Sequence, residues 1–111
     1  MNKITAINGY IEFKDTNLEI IKGVRNIAKD SMLSGKKETI KYEDITAVEL
    51  GEAGVIFGEK GYIRLVLKGV ESIKVPKYFV TAIKVPNVFI FEKGESEEFE
   101  QFKIILEQKI G

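Results

Sequence analysis

Residues 37–68 read KETIKYEDITAVELGEAGVIFGEKGYIRLVLK, and the alternation of side chains along this stretch decides the fold. Ile40 and Tyr42 alternate with Thr39 and Lys41, and Thr46, Val48 and Leu50 share a face of the next segment. Ile63, Leu65 and Leu67 oppose Tyr62, Arg64 and Val66. A period of two is what half-buried antiparallel strands require, because successive side chains point to opposite faces of a sheet. The stretch therefore predicts three antiparallel strands, at 37–42, 45–51 and 61–68. An acidic turn at Glu43-Asp44 and a glycine-rich loop join them.

Upstream, Ile11 and Phe13 face away from Tyr10 and Glu12, which predicts one strand over 4–13. Lys14-Asp15-Thr16-Asn17 is turn chemistry, since Asp and Asn bond their own backbone. A second strand at 17–22 then closes a hairpin. Over 23–36, Val24, Ile27, Ala28 and Met32 fall near helical spacing, whereas the serines and Gly35 argue for a loop. Both readings stay open. Downstream, Pro76 and Pro86 each lack a backbone donor and belong at strand starts, edges or bulges. The pattern predicts strands at 78–84 and 87–92. In the second, the apolar run Val88, Phe89, Ile90 and Phe91 implies burial on both faces or contact with a lid.

The lid is a helix predicted over 96–110. Phe99, Phe102, Leu106 and Ile110 recur at steps of three and four, and Ile105 widens the stripe. Glu97, Glu98 and Glu100 crowd the first turn, where negative charge meets the positive end of the helix dipole. Ser96 reads as the N-cap and Lys109 sits in the last turn. Burying Phe99, Phe102 and Leu106 contributes about 1.5–3 kcal/mol each, more than capping supplies. The helix is therefore expected to form because it covers a sheet. Ile104 lies off the stripe and is expected to be partly exposed.

The totals narrow the function classes. A chain of 111 residues with 44% apolar and 31% charged side chains suits one globular domain, 1–111. No apolar run approaches the roughly 20 residues of a bilayer-spanning helix, and MNKITAINGY has no apolar leader segment, so a cytoplasmic protein is expected. The sequence contains no cysteine and no histidine. Disulfides, thiolate nucleophiles, imidazole bases and the usual zinc ligands are thereby excluded, and neither a cofactor nor a metal site is expected. The formal net charge is zero, which gives no general pull toward nucleic acid. The charge nevertheless alternates in blocks, +3 over 1–42, −5 over 43–59, +5 over 60–93 and −3 over 94–111. Such alternation favours oriented or head-to-tail contacts between copies, or else neutralises neighbouring faces of one domain.

Seven antiparallel strands, four and then three, followed by a C-terminal amphipathic helix, match the order of the pleckstrin-homology (PH) superfold: two near-orthogonal sheets forming a barrel or sandwich capped by one α-helix. The chain further resembles a bacterial PH-like family of unknown function often found beside a short oligomerisation segment called SHOCT. The residues carrying the likeness are Gly9-x-Ile11-x-Phe13, Ile40-x4-Ile45-x2-Val48, Gly61-Tyr62-Ile63-Arg64 with Gly69, Pro86 to Phe91, and the helix around Phe99. The sequence departs from that pattern at 23–36 and 70–84, and shows no SHOCT segment. The resemblance implies a binding or assembly scaffold that self-associates.

Four surfaces are candidates. The basic residues Lys22, Arg25, Lys29, Lys36 and Lys37 form a cluster suited to an anion or an anionic lipid surface, or simply a solvated loop. Val55, Ile56 and Phe57, flanked by Gly51, Gly54, Gly58 and Gly61, form an apolar tip for a partner, or fold back as strand. The glycines themselves are a poor phosphate cradle, because no Lys-Ser/Thr pair and no helix follow them. The carboxylates Glu43, Asp44, Glu49 and Glu52 suit acid–base work or a hard cation, but strand spacing spreads them apart. An unpaired strand edge is the fourth. The expected function is a non-enzymatic protein-interaction module that forms homo-oligomers. Peripheral binding to anionic membranes through 22–37 is the alternative, and a carboxylate-based enzyme is the third class.

Overall fold

The computed structural model of the chain describes residues 2–23, 25–26, 31–32 and 37–111. The strands are β1 Lys3–Ala6, β2 Gly9–Phe13, β3 Asn17–Lys22, β4 Arg25–Asn26, β5 Ser31–Met32, β6 Lys37–Lys41, β7 Ile45–Ile56, β8 Lys60–Leu67 and β9 Val88–Phe91. The helices are α1 Phe79–Ala82 and α2 Ser96–Ile110, with short 3-10 turns at Tyr42–Asp44 and Lys93–Glu95. Seven of the strands build two antiparallel sheets, one in the order β1-β2-β3-β6 and one in the order β7-β8-β9. Together with α2 they make a mainly β, sandwich-like domain, as the alternation predicts. The remaining pair, β4 and β5, is a two-residue ribbon within the segment left open between helix and loop.

The route to seven strands differs from the sequence reading at three places. The strand expected over 4–13 is a hairpin that reverses at Ile7-Asn8. Gly9 permits the reversal: its φ is 154°, and a Cβ there would collide with the Ile21 carbonyl oxygen. Secondly, the acidic turn after β6 does not join neighbouring strands. It carries the chain from the edge of one sheet to the edge of the other, with the Tyr42 hydroxyl donating to the Lys14 carbonyl at 2.7 Å. Beyond it β7 continues through Gly51 and Gly54 to Ile56, with an irregularity between Gly51 and Ile56, so the expected glycine loop is mostly strand. Gly61 on β8 allows the close approach, because a side chain there would strike both the Gly51 carbonyl and the Phe91 ring.

The third difference is 78–84, which is not a strand. It holds the single turn of α1 and its continuation. The physical cause is the spacing of its apolar residues: Val75, Phe79, Ala82 and Ile83 recur at threes and fours, and they pack on one side. They cover the outer face of the β7-β8-β9 sheet and enclose a second cluster with Ile56, Val85, Val88 and Ile90. The main core lies between the sheets and under α2, where Ile11, Leu18, Ile63 and Phe89 meet Phe99, Phe102 and Leu106. All four residues of β9 are buried as a result, the even ones in the outer cluster and the odd ones in the main core.

The terminal helix seats as expected. The Phe102 ring stacks on Phe13 and that of Phe99 on Phe91, each pair with centroids 4.6 Å apart, while Ile104 is 49% exposed. Ser96 is not the N-cap. It lies in the first turn and donates to the Lys93 carbonyl, and the chain enters through the preceding 3-10 turn, where the Glu95 carboxylate accepts from the Glu92 amide.

Asn8 ties the two sheets together. Its side-chain amide donates to the Val88 carbonyl at 2.9 Å, its carbonyl accepts from the Ile90 amide at 2.8 Å, and the Ile7 amide donates to the Ile90 carbonyl. Asn8 thus extends the ladder across the gap between β1 and β9. Removing it leaves the buried Ile90 amide without its acceptor, at about 1–3 kcal/mol, while the Val88 carbonyl keeps a second donor in the Lys22 ammonium. Asn8→Ala is expected to lower the unfolding free energy in urea by roughly that amount. Phe102→Asp, placing a charge in the dry core, is expected to abolish cooperative melting.

Candidate functional site

A hollow of about 660 Å³ lies on the outer face of the β7-β8-β9 sheet. The tip of β7 forms one wall with Val55 and Phe57, and the strap 70–78 forms the other with Ile73, Lys74 and Lys77. Glu49, Tyr62 and Arg64 line it from the sheet. The period of two puts Tyr62 and Arg64 on this outer face, because their neighbour Ile63 points into the core.

Arg64 positions the strap. Its guanidinium donates through Nη2 to the Ile73 carbonyl, lies 5.9 Å from the Tyr62 ring centroid and faces Glu49 across 3.8 Å. Only 7% of the side chain is exposed, and Nε has no hydrogen-bond partner among the described residues. The Phe57 amide donates to the Lys77 carbonyl at 2.8 Å, fastening the tip of β7 to the strap. Above that bond the Phe57 and Tyr78 rings meet edge to face at 5.1 Å, and both stay more than half exposed. Lys74 and Lys77 are exposed and have no ion-pair partner among the described residues.

The structure divides the residues expected to act together. Of the apolar tip, Val55 and Phe57 point outward, but Ile56 is fully buried in the outer cluster, as alternation along a strand demands. Of the basic group, Lys29 and Lys36 lie outside the described residues, as does the side chain of Arg25. Lys37 is an edge residue of β6 with Glu19 at 3.6 Å. Lys22 is turned inward. Its ammonium donates to the Val88 carbonyl at 2.7 Å and to that of Val85 at 3.4 Å, and sits 4.8 Å from the Phe89 ring centroid. Its ammonium thus lies at the joint between the sheets. The four carboxylates stay apart: Glu43 and Asp44 occupy the 3-10 turn, while Glu49 and Glu52 lie on β7. No group of three or more acidic residues converges to hold a metal among the described residues.

Strand order resolves the question of open edges. β1 and β9 are tied through Asn8, whereas β6 and β7 each have a strand neighbour on one side only among the described residues. No helix among the described residues is long and apolar enough to cross a membrane. No family model, no curated protein and no solved structure matches the chain.

Sequence reasoning found the tip but missed Ile73, Lys74, Lys77 and Tyr78 as its companions. The helical spacing of Val75, Phe79 and Ala82 was the available signal: it assigns those residues to a packed face and leaves Ile73 outside it, but it does not separate Tyr78 from that face.

Burial pushes the Lys22 ammonium down from 10.5 to about 8, with the Glu38 charge partly opposing the shift. Between those values the unfolded chain holds more protons than the native one, so this residue makes stability rise with pH across that window. Relative to Lys22→Met, the parent is expected to gain unfolding free energy from about pH 8 to 10.5 and to show a constant difference below it. Urea titrations of both proteins at matched pH check this.

Proposed function

We propose that this chain is a non-enzymatic protein-interaction module of PH-like architecture, working in the cytoplasm and associating with itself. One observation carries the reading. Val55, Phe57 and Ile73, between 44% and 55% exposed, line a single groove, and Tyr78, 64% exposed, continues the apolar group beside it by its edge-to-face contact with Phe57. Scattered apolar side chains are normal on a protein surface, but a contiguous group rimmed by charge marks a place where another surface docks. Aromatic residues suit that role, because they cover much area with few rotatable bonds.

The PH-like part of the proposal is supported by chain order: a four-strand meander, a three-strand meander and a terminal helix over the mouth between them. The absence of enzyme chemistry is supported by the sequence, which has neither histidine nor cysteine to act as base or nucleophile.

Multi-angle light scattering across a concentration series is expected to return a mass above 12.5 kDa that grows with concentration. Phe57→Ser combined with Tyr78→Ser is expected to move that curve toward the monomer while leaving the melting midpoint near the parent's, since both side chains are more than half exposed. A parent mass constant at 12.5 kDa would remove the proposal.

A further inference from the structure

Resting on the self-association reading, we infer that the groove of one copy receives the exposed face of α2 from a second copy, in a head-to-tail contact steered by charge. Both halves of the contact are on the surface of the same chain. The groove presents three cations, Arg64, Lys74 and Lys77, against one carboxylate, Glu49, and its walls carry the exposed side chains of Val55, Phe57 and Ile73.

The outward face of α2 is its complement. Glu97, Glu100, Gln101 and Ile104 are all exposed and fall at helical steps along one stripe. Neither Glu97 nor Glu100 has an ion-pair partner among the described residues. Ile104 stands alone as a large apolar side chain on that stripe, 49% exposed, about 10 Å along the axis from Glu97. A stripe of this form matches a helix laid in a groove: Ile104 enters between Phe57 and Ile73, and the two glutamates meet the lysines of the strap. Arg64 is buried and already faces Glu49 at 3.8 Å, so the cations open to an incoming carboxylate are the exposed Lys74 and Lys77.

Groove and stripe are different patches, so the contact is heterologous. Repetition then makes an open chain, or a ring if the rotation closes. The net charges of 60–93 and 94–111, +5 and −3, acquire a structural meaning under this arrangement, because the groove cations come from the first block and the stripe from the second.

Charge exchange tests it. Lys74→Glu with Lys77→Glu, and separately Glu97→Lys with Glu100→Lys, alter only exposed side chains, and retained melting midpoints verify the fold. Each double variant alone is expected to associate at least about tenfold more weakly than the parent, and an equimolar mixture to regain association, since each reversed surface then finds its opposite. Ile104→Asp is expected to weaken association in the parent background, and raising salt from about 50 mM to about 0.5 M to do so for the parent and the mixture alike. A parent that self-associates while either double variant assembles equally well, or while the mixture stays monomeric, overturns this inference and leaves the self-association reading standing. A parent that is monomeric at every concentration overturns both.

Discussion

A four-residue strand buried on every side, β9, sets the terms for the rest of the molecule. Val88, Phe89, Ile90 and Phe91 are each fully buried, so both faces must be covered and every backbone group paired. β8 pairs one edge in the register Gly61 to Phe91 through Arg64 to Val88. Among the described residues the other edge has no strand in direct ladder with it, and Ile7 and the amide of Asn8 take that place. Phe89 and Phe91 demand a hydrophobic cover on the inside, which α2 provides through Phe99 and Phe102. Val88 and Ile90 demand another on the outside, which the segment from Val75 to Val85 provides.

The outer cover is what gives this domain a candidate site. A sheet with one face in the core normally turns a polar face to water. Here the outer face is half covered, and the strap that covers it ends in exposed apolar residues. Arg64 holds the strap from beneath, at the cost of a desolvated guanidinium whose donors are only partly used. The groove is the unfilled remainder between the strap and the tip of β7.

Charge follows the same division. Lys22 lies where the sheets join, and there its ammonium solvates the carbonyls of Val85 and Val88 that the ladder leaves over. Lys74 and Lys77 lie where the strap faces water and have no ion-pair partner among the described residues. Three lysines of equal intrinsic chemistry therefore differ in role only through what surrounds them, which no count of charges along the chain reveals.

The chain by itself determined that it would be mainly β with a terminal amphipathic helix. Alternation at 61–68 and the three-and-four spacing of Phe99, Phe102 and Leu106 are local periodicities, and a period belongs to the backbone geometry that produces it. It also determined that β9 would be buried, because four apolar residues in succession leave neither face polar. The hairpin that reverses at Ile7-Asn8 was not legible, because the apolar content around it reads as one long strand and Gly9, which permits the reversal, already lies in β2. Only the tertiary structure decided that β6 and β7 belong to different sheets, that Lys22 turns inward, and that the strap meets the tip of β7. These depend on contacts between residues far apart in sequence, such as Asn8 with Val88 and Phe57 with Tyr78. Local pattern states which face of an element is apolar; which other element comes to cover it is settled by packing the whole chain at once.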